Sequence, residues 1–152
     1  MRSPEGEVLI PGFYDNVNRL SEEEKKEIDF SFDTNILKDK MGAECTGGEK
    51  SFSPLESAWL RPTLEINGIT GGYGGEGFKT VIPAIANAKI SCRLAPGQEL
   101  ERIPKLIKKF VLDNTPEGIE ADFDIHEGGG VAARTSPTSK FVNVCRLSLI
   151  HI

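Results

Sequence analysis

Histidine and cysteine are scarce in this sequence. There are two histidines, His126 and His151, and three cysteines, Cys45, Cys92 and Cys145, in 152 residues. Zinc sites need three or four His, Cys or carboxylate ligands brought together. No HxxxH, HxD or Cys–His spacing is present, so a self-contained metal site is not expected. Without a convincing base, Ser–His or Cys–His nucleophilic catalysis inside the chain is not expected either. No cysteine belongs to a CxxC pair, and an odd, scattered set argues against a disulfide framework. Buried or incidental thiols are the expectation.

Long apolar runs are also missing. No stretch of about 18 apolar residues exists to span a membrane. The opening MRSPEGEVLI lacks the apolar segment of a signal peptide. The expected compartment is the cytoplasm, with no membrane partner. Positive charge is in deficit, with 18 Lys and Arg against 23 Asp and Glu and a net charge of −5. An acidic chain repels phosphate backbones, which argues against a nucleic-acid partner. An RNA-binding domain of similar topology would also need an aromatic strand signature that is lacking here.

What is present reads as one domain with an N-terminal arm. Residues 1–20 read as an irregular extended arm whose short apolar run, Val8-Leu9-Ile10, is broken by Pro11-Gly12. Ser21 and Glu24 form a capping-box pattern, which predicts a short acidic helix over 21–30. A second short helix is expected around 35–41, ending near Gly42, with a loop over 43–51. Ser53-Pro54-Leu55-Glu56 repeats the helix-start pattern, with Pro54 suited to the first helical position. That helix carries Trp59 and stops before Pro62.

The pattern then changes to period two. Residues 63–70 (TLEINGIT) alternate, with Leu64, Ile66 and Gly68 on one face, and predict a strand. A glycine loop, GGYGGEG, follows at 71–77. Residues 80–94 alternate again, with Ile82, Ala84, Ala86, Ala88, Ile90, Cys92 and Leu94 sharing one parity. This predicts half-buried extended chain with a bulge or bend near Pro83. A helix is expected over 99–113 on the stripe Ile103, Ile107, Phe110 and Val111. Pro104 implies a distorted first turn or a later start. Residues 119–126 (IEADFDIH) predict a last strand. The fold class is therefore α+β: an incomplete βαββαβ, ferredoxin-like two-layer sandwich with an N-terminal arm of short helices.

Several residues are candidates for chemistry. Gly72 and Gly77 have four residues between them, with Lys79-Thr80 nearby, but Phe78 intervenes and no helix is expected to follow, so a phosphate-binding loop is not supported. A glycine-rich hairpin tip accounts for the loop equally. Arg93 ends a strand on its polar face, and its guanidinium fork suits a carboxylate; a solvated surface arginine fits the residue alone as well. His126, a lone strand-end histidine, carries no role by itself.

Residues 61–98, RPTLEINGITGGYGGEGFKTVIPAIANAKISCRLAPGQ, resemble the lid domain of a zinc peptidase family. That family includes carnosine and other dipeptidases, carboxypeptidase G, acetylornithine deacetylase and succinyl-diaminopimelate desuccinylase. VLIPGFYDNV at 8–17 and SPLESAWLRPT at 53–63 resemble its dipeptidase-like branch. The resemblance implies a catalytic domain with two zinc ions and a ferredoxin-like lid that pairs two subunits into a homodimer. It implies hydrolysis of an amide bond in a small peptide or N-acyl amino acid by metal-activated water. It assigns Arg93 to the substrate carboxylate and Thr80 to a neighbouring hydroxyl contact. It also implies that the metal ligands, the catalytic residues and the lid's own histidine lie outside this chain, and His126 does not match that histidine.

The expected organisation is an arm over 1–60, the lid sheet and helix over 61–130, and an exit segment over 131–152. The tail RLSLIHI, 146–152, resembles translated adapter sequence and is expected to be non-native. The chain is expected to be an inactive, zinc-free piece of a longer hydrolase. The alternative is a non-catalytic dimerising or peptide-binding module.

Overall fold

The computed structural model of the chain describes residues 1–28, 33–44, 47–126 and 128–150. The end of the first predicted helix (29–30), Cys45 and His151 lie outside the described residues. Three short helices come first: α1 (Glu22–Glu27), α2 (Thr34–Met41) and α3 (Pro54–Leu60). Their ends follow the local chemistry. Ser21 and Glu24 close a full capping box on α1, and Ser53 and Glu56 close one on α3 with Pro54 in its first turn. Gly42 caps α2 in the left-handed conformation, which costs glycine little.

Two strands form an antiparallel hairpin, β1 (Thr63–Gly71) and β2 (Ala86–Arg93). The ladder runs from Thr63 opposite Arg93 to Gly71 opposite Ala86. It shifts register between Ile66 and Gly68, where Asn67 is the extra residue. This bulge corrects the simple alternation expected for β1. Ile69 pairs with Ala88, so it shares a face with Leu64 and Ile66 rather than lying opposite them. The apolar face therefore holds Leu64, Ile66 and Ile69 with Ala86, Ala88, Ile90 and Cys92. β2 is also shorter than the alternating run 80–94. It begins only after Pro83, where β1 still has a residue to pair, and Ile82 is 92% exposed rather than half buried.

Helix α4 (Arg102–Asp113) starts three residues later than the pattern predicts. Pro104 thus falls in the first turn, where a missing N–H breaks no helical bond. Residues 119–126 are a further correction. They join no ladder, and residues 120–135 make no backbone–backbone hydrogen bond among the described residues. Alternation gives a segment two faces but supplies no partner strand. Residues Lys140–Ile150 form α5, an element the sequence pattern did not suggest.

The core is small and centres on the arm. Val8, Ile10, Phe13, Leu64 and Ile103 are buried together, with Tyr14, Ile90, Cys92, Leu106, Ile107 and Phe110 packed against them. The arm is therefore not an extended appendage. Its apolar run and Phe13 fill the space between the hairpin and α4, because neither element alone can cover its apolar side. Tyr14 meets Phe13 edge-on at 5.3 Å, and its Oη accepts from the Val8 N–H at 2.9 Å. Gly97 secures the far end of the arm. Its φ is +97°, and a Cβ there would stand 1.9 Å from the Asn16 carbonyl oxygen. Beside it, buried Gln98 accepts from the Ala95 N–H at 2.8 Å and donates to the Phe13 carbonyl.

A buried ion pair ties the helices to this core. Arg61 donates from Nε and Nη2 to the two carboxylate oxygens of Glu49, at 2.5 and 2.9 Å. The side chains are 8% and 6% exposed. The Arg61 guanidinium also lies over the rings of Phe52 (4.4 Å) and Tyr14 (4.9 Å). Burial, with the Glu49 carboxylate beside it, raises the Tyr14 phenol above its ordinary pKa.

Candidate functional site

The hairpin separates its chemistry by face. Opposite the apolar side, Thr63, Glu65 and Thr70 pair with Arg93, Ser91 and Asn87, and Lys89 lies opposite Gly68. This polar face is largely open to water. The hydroxyl of Ser91 donates to the Asn67 side-chain oxygen at 2.9 Å, bridging the strands at the bulge. Arg2 neutralises Glu65 at 2.8 Å and also donates to the Leu64 carbonyl.

Arg93 stands at the end of this face. It makes no ion pair and no side-chain hydrogen bond among the described residues, and it is exposed. Its nearest acid across the ladder, Glu65, is already held by Arg2. A free guanidinium beside a compensated carboxylate is available to an incoming anion. Lys89 is a second cation on the same face with no partner among the described residues, though the sequence assigns it no role. Four residues along a strand separate it from Arg93 by about 13 Å. Its parity with Ser91 and Arg93 was the signal that could have found it.

Thr80 sits in the exposed loop 72–85. The loop joins the strands beyond the Gly71–Ala86 pair, whereas Arg93 lies at the Thr63 end. Seven residue steps along β2 amount to about 23 Å. Within one chain the two predicted contact residues are not brought together. The loop's recorded contacts are internal: Tyr73 Oη donates to the Glu76 carbonyl at 3.1 Å, and the Lys79 ammonium lies 4.8 Å from the Tyr73 ring centroid. Phe78 (102% exposed), Val81, Ile82 and Ile85 point their apolar surface outward from the same loop.

The remaining candidates do not converge. His126 lies 3.8 Å from Asp124, and both are about nine-tenths exposed. Among the described residues no group of three or more His, Cys, Asp or Glu could hold a metal ion. Burial, with Glu65 adding to it, pushes the Cys92 thiol up to about 11, the behaviour of a core residue rather than a nucleophile. No described helix is long and apolar enough to cross a membrane.

Comparison with known proteins gives the family. Residues 14–119 match the family described as "Peptidase dimerisation domain". The chain is 38% identical over 109 residues to the Cys-Gly metallodipeptidase dug1 of Schizosaccharomyces pombe, covering 71% of this chain and 23% of that protein. Among solved structures it resembles the M20 family metallo-carboxypeptidase Sso-CP2 of Sulfolobus solfataricus, with a TM-score of 0.63 and 37% identity, over 74% of this chain and 26% of that one. It also resembles human carnosine dipeptidase 1, with a TM-score of 0.62 and 30% identity, over 74% of this chain and 24% of that one. The chain thus spans about a quarter of the length of these relatives. The match over residues 14–119 and the similarity to these metallopeptidases show the family: the chain belongs to the dimerisation-domain family of the M20 metallopeptidases.

Proposed function

We propose that the chain is the lid and dimerisation part of a cytoplasmic, zinc-dependent dipeptidase or amidohydrolase. In this reading residues 1–60 are the arm, 61–130 the ferredoxin-like lid, and 131–152 the exit segment with a non-native end at 146–152. Two zinc ions and the catalytic residues belong to polypeptide outside this chain, and the lid pairs with a second copy to form a homodimer. The metal centre would activate water and polarise the amide carbonyl. The 152 residues alone hydrolyse nothing. Their part is to receive the free carboxylate of a small peptide or N-acyl amino acid, through Arg93, with the Thr80 hydroxyl contributing from its loop. Thr80 is far from Arg93 in one chain, which favours its acting on the partner's substrate.

The observation that carries this reading is the state of Arg93: exposed, without a partner among the described residues, and on the same strand face as an acid that Arg2 already neutralises. The test uses the S. pombe enzyme with residues 1–126 of this chain grafted over the aligned stretch. Arg93→Ala is expected to lower kcat/KM by the equivalent of about 2–5 kcal/mol, the scale for losing one side of a desolvated charge pair. The loss should shrink when the substrate is a dipeptide amide, which has no carboxylate to grip. An unchanged kcat/KM, or the same loss with the amide, removes Arg93 from the site.

A further inference from the structure

Of the chain's asparagines, Asn67 alone is followed by glycine. In such a pair the side-chain amide is open to attack by the next backbone nitrogen. A following side chain would obstruct that approach and restrict the backbone, and glycine does neither. A regular ladder protects a strand asparagine by fixing its backbone through paired hydrogen bonds. Asn67 escapes that protection. Ile66 pairs with Ile90 and Gly68 with Lys89, so Asn67 is the extra residue of the bulge and has no partner on β2. Such a residue is left unpaired, and the strand bends around it. Asn67 is also exposed.

Its surroundings favour the attack. The Ser91 hydroxyl donates to the side-chain oxygen of Asn67 at 2.9 Å. That bond draws electron density from the amide carbon and would stabilise negative charge on the oxygen. Beside Gly68 the space is open. A Cβ built there would meet only the Lys89 Cδ, at 3.8 Å.

We infer that Asn67 is a site of spontaneous deamidation, which places a new carboxylate on the polar face of the hairpin. The Gly68 nitrogen attacks the Asn67 amide carbon. The side-chain nitrogen leaves as ammonia, taking the Gly68 N–H proton, and a cyclic imide closes. Water opens the imide at either carbonyl and gives aspartate or isoaspartate. One water is consumed, one ammonia is released, and nothing is oxidised or reduced. Isoaspartate lengthens the main chain by one carbon. In a regular ladder that would disturb the pairing register. At the bulge the register is already shifted, so the hairpin can hold the product.

The new charge falls between the two cations of this face. Ser91, to which Asn67 bonds, is two residues from Lys89 and two from Arg93, about 7 Å along the strand in each direction. Glu65 is already held by Arg2. The new carboxylate has no such cation of its own and competes with an incoming anion for Arg93. This consequence rests on the assignment of Arg93 to the substrate carboxylate; the modification itself does not.

Peptide mapping of the folded chain after incubation in mildly alkaline buffer reads the modification. Asn87 is the internal control, since it pairs with Thr70 in the regular ladder and precedes Ala88. Asn67 is expected to convert about tenfold faster than Asn87, and Gly68→Ala to slow it by about tenfold. Conversion no faster than at Asn87, conversion only after unfolding in urea, or an unchanged rate in Gly68→Ala overturns the site. If the isolated chain does not fold, the same map of the graft within the S. pombe enzyme decides in the same way. For the consequence, Asn67→Asp in the graft should raise KM about two- to threefold, the scale for unit charges about 7 Å apart in water. The rise should fade in high salt and with the dipeptide amide. An unchanged KM overturns the consequence. The deamidation rate does not depend on Arg93, so the modification and the substrate assignment can fail separately.

Discussion

Glu49 and Arg61 offer the sharpest test of how the chain holds together. Their side chains are 6% and 8% exposed, and the pair is bidentate. Glu49→Ala leaves a guanidinium out of water with only the faces of Phe52 and Tyr14 to compensate it. A cation over a ring recovers about 1–2 kcal/mol, less than the penalty of a buried, unpaired charge. The expected loss is about 3–5 kcal/mol. For a chain of this size that lowers the melting temperature by about 6–20 °C. Arg61→Met should cost a similar amount, because it strands the Glu49 carboxylate. The double variant should lose less than the sum of the two, by about 2–3 kcal/mol. Urea unfolding followed by circular dichroism gives all four corners of the cycle. Additive single losses, or a Glu49→Ala variant within about 0.5 kcal/mol of the parent, would refute the claim that this pair acts as a buried unit.

Two further outcomes follow from local geometry. Gly97→Ala should destabilise the chain by about 2 kcal/mol or more, since the position needs positive φ and a Cβ would meet the Asn16 carbonyl; an unchanged urea midpoint would contradict that packing. At pH 8 Cys92 should alkylate about a hundredfold more slowly than exposed Cys145, as its thiol is pushed up to about 11 and so is rarely ionised; equal labelling in a peptide map would show the core open at β2.

Local chemistry made α1, α2 and α3 legible, but not α5. Ser21, Ser53 and Pro54 announce helix starts through bonds that close within four residues, so no tertiary information is needed. Arg93 could be placed on a polar strand face for a similar reason, since period two fixes its side. What could not be read depended on distant partners. Asn67 is an ordinary strand residue until β2 is in register beside it. Only then does the bulge appear and turn Ile69 to the apolar face. Val8, Ile10 and Phe13 read as an arm because their short run has no period, and their burial depends on Leu64 and Ile103, more than fifty residues away. The freedom of Arg93 was equally hidden, because it follows from Arg2 reaching Glu65 across 63 positions.

The same dependence explains how the candidate site is distributed along the hairpin. Arg93 pairs with Thr63 at the end where Leu64, Cys92 and Ile103 pack together, so its backbone is anchored by the core. Thr80 and the exposed Phe78 belong to the opposite end, where Ile69 is largely exposed and the Tyr73 hydroxyl bonds within the loop to the Glu76 carbonyl. A group that must hold a carboxylate in one orientation gains from a fixed backbone, because a displacement of about 1 Å is costly to a bidentate grip. A loop that must reach another chain gains from having no fixed seat on its own.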